Sequence, residues 1–313
     1  MSDYVCGNHT MTSRERVLAA LDHREPDRVP IDLGGTFVTG ISASALHALR
    51  RHLGLEDRPV KLYDALQMLG EVEADLVERL QLDVLPVERP IVAFGLRNEG
   101  WKPWTLFDGT SVLVPDQFRV TTTPGGDWLL HPEGRIDRPP VARMPRDGFY
   151  FDAIGYGDWD PGFTPPPLDE MRRRSRDWIL KEELLRHFAD RAEHLRRHTD
   201  KALVLGSWGA TGVHYVGNLT EFWCLLASDP GYVADMFMLC AEIAIENLRL
   251  LWDAVGDNVD LMTFSGLDFG TQRSEFFSRE SFRQTYLPAF RIQFDWIHEH
   301  TTWKIFEHSC GSI

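Results

Sequence analysis

The sequence predicts an α/β protein whose sheet is parallel and covered by helices on both faces. The first observation is that short, continuously apolar segments alternate with segments of helical periodicity, as is typical of such sheets. The second is that glycine or polar residues follow nearly every apolar segment, as in DLGG and GSWGATG. Ligand sites lie at these carboxyl ends in both (β/α)8 barrels and doubly wound sheets, so the pattern locates a site and leaves the fold open.

The composition bounds the function classes to which the chain can belong. It has 313 residues, 43% of them hydrophobic, which suffices for one large barrel or two modest domains. The net charge of −14 argues against nucleic acid or an anionic membrane as the main partner. The chain has no apolar run of the roughly 20 residues that span a bilayer, and no secretory signal. The cysteines are too irregularly spaced for a disulfide framework, so we expect a cytoplasmic protein (Cys6, Cys224, Cys240 and Cys310).

The amino-terminal part begins with a helix and contains two short strands. Thr12 and Glu15 form a capping-box pattern, which predicts a helix over 12–22. Compact apolar runs predict strands near 28–33 and 83–87. Between these strands, SASALHALRRHLGL and YDALQMLGEVEADLVERLQL have the helical spacing of apolar residues and predict helices.

A β-rich insertion follows over about residues 90–150. Aromatic and β-branched residues alternate there with turn pairs such as DG and PGG, which is typical of hairpins. We expect residues 91–135 to form an antiparallel hairpin layer outside the main sheet. The proline-rich segment 160–170 is predicted to be a surface connection.

The alternation of helices and strands resumes in the second half of the chain. The segment RSRDWILKEELLRHFADRAEHLRRH predicts one long helix. Three more helical segments follow, namely GNLTEFWCLLAS, GYVADMFMLCAEIAIENLRLLWDAV and RESFRQTYLPAFRIQFDWIHEH. Altogether we expect five strands, parallel and adjacent in chain order, near 28–33, 83–87, 202–207, 260–264 and 303–309.

His308 and Cys310 are the first candidate site residues. They are two positions apart on the last predicted strand, so their side chains project to the same side of the sheet. Imidazole nitrogen and thiolate sulfur are common zinc donors, and two such ligands can bind one ion. The bare pattern is also compatible with a buried free cysteine beside a structural histidine.

Other polar residues at the predicted strand ends could complete a site. Asp32 and Asp268 end the first and fourth strands and could orient a substrate or a zinc-bound group, although such carboxylates often cap the next helix. Gln272 is a candidate polar residue of the same pocket. Trp208 and His214 flank the segment GATG and could line the pocket, with packing as the alternative role of the tryptophan.

Several ordered motifs resemble the uroporphyrinogen decarboxylase superfamily. They are RVLAALDHREPDRVPIDLGG, VGNLTEFWCLLASDPGYV, GLDFGTQ followed by SRESFRQTYLPAFRIQFDWIH, and KIFEHSCGSI. Within that superfamily the chain looks most similar to the zinc-dependent, corrinoid-linked methyltransferase branch. The resemblance covers about residues 12–87 and 200–313, and the insertion between them is less distinctive.

The resemblance implies a fold, a cofactor and a partner. The fold is a (β/α)8 barrel of the TIM type. In the methyltransferase branch a His-x-Cys pair and a later cysteine bind zinc, which activates a thiol or similar methyl acceptor. His308 and Cys310 match the pair, whereas the later cysteine should lie dozens of residues beyond Ile313. The implied partners are a corrinoid protein or free methylcobalamin and a small-molecule methyl donor or acceptor.

Two other classes of function compete with this interpretation. A uroporphyrinogen decarboxylase-type lyase would carry an Arg-Gln-Ala-Gly-Arg segment after the first strand and a Phe-Ser-Asp segment after the second. This chain has no basic residue between Arg28 and His47. It has PVERP where the Phe-Ser-Asp segment would follow the second strand. A polyanionic tetrapyrrole would therefore be held poorly. A non-catalytic, partner-binding barrel is the third class.

The count of strands leads us to expect an incomplete barrel. Five strands are predicted where a (β/α)8 barrel needs eight. Three further βα units would add on the order of 90 residues, at about 30 residues each. We therefore expect residues 1–313 to form a single barrel domain whose carboxyl-terminal units are missing. Its first and fifth strands would be open edges, and metal binding would be weak without the third ligand.

Overall fold

The computed structural model describes residues 10–154, 160–206, 210–264 and 267–311. Within these ranges the helices are α1 (Ser13–Leu21), α2 (Ala43–His52), α3 (Ala74–Leu80), α4 (Leu168–Ser175), α5 (Glu182–His198), α6 (Leu219–Ser228), α7 (Pro230–Val255) and α8 (Arg279–His300). The strands are β1 (Val60–Asp64), β2 (Leu69–Gly70), β3 (Val84–Val87), β4 (Lys102–Thr105), β5 (Ser111–Val114), β6 (Val120–Thr122), β7 (Trp128–Leu130), β8 (Ala142–Met144), β9 (Asp152–Ala153), β10 (Ala202–Gly206), β11 (Leu261–Thr263) and β12 (Lys304–Phe306). None of the described helices combines the length and the apolar character needed to cross a membrane.

Four of the five predicted strands form one parallel sheet. Its order is β12–β11–β10–β3, so the strands are adjacent in chain order as predicted. Val204 in β10 pairs with Pro86 in β3 and with Leu261 in β11, and Met262 pairs with Ile305 in β12. The short apolar runs formed strands because a parallel sheet buries both faces of its inner strands.

The predicted strand near 28–33 is wrong, because this segment runs beside β3 without forming a ladder. The Asp83 N–H donates to the Ile31 carbonyl oxygen at 2.8 Å. The Ile31 N–H, however, donates to the Asp83 side chain at 2.8 Å and not to a strand backbone. Pro30 has no N–H, so the preceding position cannot continue the pairing.

The parallel sheet is open within the described residues. Strands β3 and β12 are its two end strands, and no pairing joins them. The architecture shown is therefore mixed α/β, with three separate four-stranded sheets and no closed barrel in the described ranges.

The two faces of the parallel sheet meet different partners. Leu203, Leu205 and Met262 belong to the large core that also contains the apolar residues of α5, α7 and α8. The alternating residues point to the other face, here called the inner face. They form a small cluster with Val17 of α1 and consist of Val84, Ala202, Val204 and Leu261.

The β-rich insertion is confirmed. Strands β4 and β5 form an antiparallel hairpin, and β6 to β9 form an antiparallel meander. Because β5 also pairs in parallel with β1, the sheet order is β2–β1–β5–β4. The helix predicted through the first half of 63–82 is wrong, since β1 and β2 lie there and only the short α3 follows. Pairing with β5 and a left-handed turn at Met68, with φ of 54°, override the helical spacing.

The remaining predicted helices are confirmed, with one correction. Thr12 caps α1 in a capping box with Glu15, as the sequence predicts. The single helix predicted over 174–198 is wrong, because a 3₁₀ turn separates α4 from α5. Buried Asn247 on α7 stabilises this break: its Oδ1 accepts the Leu180 N–H at 2.9 Å, and its Nδ2 donates to the Trp178 carbonyl at 3.1 Å.

Buried carboxylates at the amino ends of β3 and β11 tie α1 to the sheet. Asp83 accepts hydrogen bonds from Arg16 and Arg28, both at 2.7 Å. Asp260 accepts one from Arg14 at 2.6 Å. These ion pairs belong to the end of the sheet opposite the polar carboxyl ends, where residues of parallel α/β folds serve stability.

Candidate metal centre

Asp268, His308 and Cys310 meet at the carboxyl ends of β11 and β12. The Cys310 Sγ lies 3.1 Å from His308 Nε2, and His308 Nε2 lies 3.9 Å from Asp268 Oδ1. One ligand atom from each residue falls within 4.8 Å of the others. We call this group the triad. The structure thus brings together both predicted metal ligands and one of the two predicted carboxylates.

Strand pairing brings the two loops of the triad side by side. Thr263 pairs with Phe306, and the Phe264 N–H donates to the Phe306 carbonyl at 2.9 Å, so β11 and β12 end at the same level. Neighbouring strands are about 4.8 Å apart, which brings the segments that follow them within side-chain reach. Strand pairing thus brings Asp268 and His308 together, although they are 40 positions apart in the sequence.

A close contact between two glycines holds the loops together beyond the strands. Gly311 adopts φ of 109°, a conformation that favours glycine, and a Cβ there would collide with the backbone of Gly270. Next to it, the Cys310 N–H donates to Asp268 Oδ1 at 3.0 Å. The backbone therefore orients Cys310 toward Asp268 before any ligand is present.

The spacing of the triad atoms fits a tetrahedral zinc ion with small adjustments. Zn–S and Zn–N bonds of about 2.3 and 2.1 Å at tetrahedral angles place sulfur and nitrogen about 3.6 Å apart, and nitrogen and oxygen about 3.4 Å apart. The observed separations of 3.1 and 3.9 Å differ from these values by about 0.5 Å each. The donor types also fit, since zinc accepts sulfur, nitrogen and carboxylate oxygen.

The electrostatics of the triad favour a bound cation. Desolvation and the neighbouring Asp268 carboxylate raise the pKa of the Cys310 thiol above its ordinary value. A free thiol here is therefore protonated near neutral pH, whereas a coordinated divalent cation would favour the thiolate. The His308 side chain is 34% exposed and that of Asp268 57%, so one side of the triad faces solvent and could admit a substrate.

Asp32 lies in a tight turn and not in the triad. Its Oδ1 accepts the Gly35 N–H at 2.9 Å, and burial raises the pKa of its carboxyl group. Asp32 does not cap the next helix either, because Ser42 is the N-cap of α2.

The other predicted pocket residues are dispersed. Gln272 is exposed on the loop after Gly270. His214 packs against Trp178 with ring centroids 4.4 Å apart and the ring planes tilted by 44°. Trp208 lies outside the described residues.

The two cysteines in the helices differ in burial, and only Cys240 belongs to the core. Cys240 on α7 is 2% exposed, and burial raises the pKa of its thiol to about 11. Cys224 on α6 is exposed. Neither belongs to the triad.

No family model matches the chain, and no curated protein or solved structure is significantly similar to it. The resemblance to the uroporphyrinogen decarboxylase superfamily therefore rests on the sequence motifs.

Proposed function

We propose that the protein is a zinc-dependent methyltransferase that moves a methyl group between a corrinoid and a thiol or similar acceptor. The observation that carries the proposal is the meeting of Asp268, His308 and Cys310, with donor atoms within 4.8 Å of one another. Three protein ligands would leave one tetrahedral position for a substrate. That arrangement distinguishes catalytic zinc sites from structural ones, which use four protein ligands.

The residues of the triad would hold the zinc ion and orient its ligands. Zinc would supply Lewis acidity, which lowers the pKa of a coordinated thiol and keeps it a thiolate near neutral pH. Asp268 fixes the loop of Cys310 through the 3.0 Å backbone hydrogen bond, and His308 lies beside the thiol at 3.1 Å. Methyl displacement needs little acid–base help, so a site with one metal and few titratable side chains would suffice.

The partners in this proposal are a corrinoid protein or free methylcobalamin, and a small-molecule methyl donor or acceptor. Support comes from the solvent-facing side of the triad, where Asp268 and Cys310 are exposed. A bulky methyl carrier could approach from that side without opening the core. The three described cysteines are unbridged, which agrees with a reducing compartment such as the predicted cytoplasm.

We also propose that the parallel sheet is part of a (β/α)8 barrel. Its strands are parallel and adjacent in chain order, and helices cover one face. The inner face is apolar, and α1 packs against it through Val17. The triad follows the carboxyl ends of two neighbouring strands, the usual place for a barrel's active site.

Metal analysis of the purified protein tests the site directly. We expect close to one zinc ion per chain after reconstitution with one equivalent, and little or none in a Cys310→Ala variant. Cys224→Ala is the matched control, because Cys224 is an exposed thiol away from the triad. Equal zinc content in all three proteins would contradict the proposed site.

A second measurement tests the reaction. The zinc-loaded protein is incubated with methylcobalamin and a small thiol, and demethylation is followed by the change in corrinoid absorbance. We expect turnover that Cys310→Ala abolishes and Cys224→Ala retains. Zinc-independent conversion of uroporphyrinogen to coproporphyrinogen would instead support the lyase alternative.

A further inference from the structure

The carboxyl-terminal end of α5 carries two neighbouring histidines, which we call the histidine pair. His194 and His198 are four positions apart, so their side chains are neighbours on one face of the helix. Both are exposed, and their ring centroids lie 4.3 Å apart with the ring planes inclined by 29°. The helix leads from the pair into the amino end of β10, whereas the triad follows the carboxyl ends of β11 and β12. The histidine pair is therefore separate from the candidate metal centre.

A hydrogen bond to the backbone orients one of the two rings. His198 Nδ1 lies 2.7 Å from the carbonyl oxygen of His194, and because a carbonyl oxygen only accepts, Nδ1 carries the proton of the neutral ring. His198 Nε2 then has a free lone pair. Histidines that bind metals almost always donate their other ring N–H in this way. Within the described ranges, His198 Nε2 and both ring nitrogens of His194 have no hydrogen-bond partner in the protein.

The spacing of the two rings matches that of two imidazoles at adjacent positions on one metal ion. With metal–nitrogen bonds of about 2.0 Å, each ring centre would lie about 3.1 Å from the ion. Two such rings would be about 4.4 Å apart at an angle of 90°, and about 5.1 Å apart at the tetrahedral angle. The observed separation of 4.3 Å agrees with the 90° arrangement. Copper(II) and nickel(II) favour such square-planar or tetragonal geometry, whereas zinc is tetrahedral.

The surroundings of the histidine pair favour a bound cation. His198 is the last residue of α5, where the helix dipole has its partial negative charge. The guanidinium groups beside the pair have carboxylate partners, since Arg197 pairs with Glu193 and Arg196 pairs with Asp260. His198 also lines an open cleft of about 1270 Å³, from which water or a small ligand can reach a metal ion at the pair.

We propose that His194 and His198 bind a divalent transition-metal ion of the nickel(II) or copper(II) type. The two imidazoles would occupy adjacent positions, and water or a small ligand in the cleft would occupy the others. His187 lies on the same side of the helix, but its Nε2 is 2.9 Å from the Glu88 carbonyl oxygen and is engaged there. The protein therefore supplies two ligands at this site. The site depends neither on the triad nor on the proposed methyl transfer.

Calorimetric titration of the full chain with nickel(II) tests the inference. The Cys310→Ala variant, freed of metal, is the parent protein, because it lacks the thiolate of the triad and retains the histidine pair. We expect saturable binding of about one nickel ion per chain, and weaker binding of zinc, since an angle near 90° suits nickel(II) better.

Substitutions in this parent protein locate the nickel ion. We expect His194→Ala and His198→Ala each to weaken nickel(II) binding by at least about tenfold, a loss that even outer-shell partners of a metal can cause. Loss of either ring ends chelation, so the double substitution should weaken binding little further. His298→Ala is the matched control and should have no effect, because this exposed residue of α8 has no histidine three or four positions away.

Thermal melts provide a second readout and establish that each variant is folded. Nickel(II) should raise the melting temperature of the parent protein, because a ligand that binds only the folded state stabilises it. It should leave that of the doubly substituted protein unchanged. The exposure of both histidines makes their replacement by alanine compatible with folding.

Two outcomes would overturn the inference: absence of saturable nickel(II) binding, or binding that neither His194→Ala nor His198→Ala weakens. Zinc binding by the triad is measured separately, in the protein that retains Cys310. Nickel(II) binding at the histidine pair without zinc binding at the triad would refute the proposed function and support the second site. The reverse result would support the proposed function and refute the second site.

Discussion

The backbone N–H of Cys310 donates a 3.0 Å hydrogen bond to Asp268 Oδ1, although 42 residues separate them. The carboxylate is therefore both a candidate metal ligand and the contact that orients the candidate thiolate. Substituting Asp268 separates these two roles, because asparagine retains the acceptor oxygen and loses the charge.

We expect Asp268→Asn to weaken zinc binding by at least about tenfold, the loss typical even of an outer-shell partner. Competition with a chromophoric chelator measures this affinity. Glu275→Gln is the matched control, since it removes a carboxylate from the same loop but outside the triad. Equal losses in the two variants would indicate a general charge effect and not a ligand role for Asp268.

Replacement of Gly311 by alanine should disrupt the triad without unfolding the protein. The added Cβ would collide with the backbone of Gly270, so the segment carrying Cys310 must shift. Gly109→Ala is the control, because its φ of 84° is similarly unfavourable and nothing lies within 4 Å of its Cβ. We expect both variants to lose about 1–2 kcal/mol of stability from the left-handed backbone, but only Gly311→Ala to lose zinc. Chelator competition measures the zinc affinity, and urea unfolding measures the stability.

Zinc should protect one particular cysteine from alkylation. In the metal-free protein we expect iodoacetamide to modify the exposed Cys224 and Cys310, while the buried Cys240, with a pKa of about 11, stays unmodified until the protein unfolds. One equivalent of zinc should slow modification of Cys310 and leave Cys224 unchanged. Peptide mass spectrometry resolves the sites, and equal protection of both would exclude a local zinc site at the triad.

Acid should destabilise the amino end of the sheet. The hydrogen bond from Arg16 lowers the pKa of Asp27 to about 2. Burial alone would raise the pKa of Asp83, but hydrogen bonds from Arg28, the Ile31 N–H and Arg16 outweigh it and lower that pKa. Stability from a depressed carboxyl pKa is complete above the unfolded value of about 4 and is lost as pH falls through the folded value. We therefore expect the free energy of unfolding to fall from about pH 4 toward pH 2.

A substitution at Asp83 tests the source of that acid sensitivity. Asp83→Asn should lower the free energy of unfolding at pH 7 by about 3–5 kcal/mol, because it leaves buried Arg16 without one of its partners. It should also reduce the fall in the free energy of unfolding at acidic pH. Asp137→Asn, which removes an exposed ion pair with Arg135, should change little. Urea denaturation at pH 7 and pH 3 provides the comparison.

Four strands of the parallel sheet could be predicted because burial on both faces leaves a local signature, a short run of apolar residues. The segment 28–33 has that signature as well, but the side chain of Asp83 takes the backbone donor that a strand partner would need. Strand β1 was missed for the opposite reason. Its partner β5 begins 47 residues after Asp64, and such distant pairing leaves no mark in a local pattern.

The candidate site residues also divide into those with a local sequence signal and those without one. The His-x-Cys spacing is local, and Asp268 could be proposed because it follows a predicted strand. The position of Asp32 outside the triad left no local signal, because its carboxylate accepts the Gly35 N–H in a turn that replaces the strand predicted over 28–33.

The ion pair between Arg14 and Asp260 joins residues 246 positions apart. During synthesis the first helix emerges long before the strand end that it binds. At about 5–20 residues per second, Arg14 waits roughly 12–50 s for its partner. A nine-residue helix is marginal alone in water. Arg16 of the same helix can pair earlier with Asp27 and Asp83, which are 11 and 67 positions away. The contact with Asp260 is therefore the last of these three ion pairs that can form during synthesis.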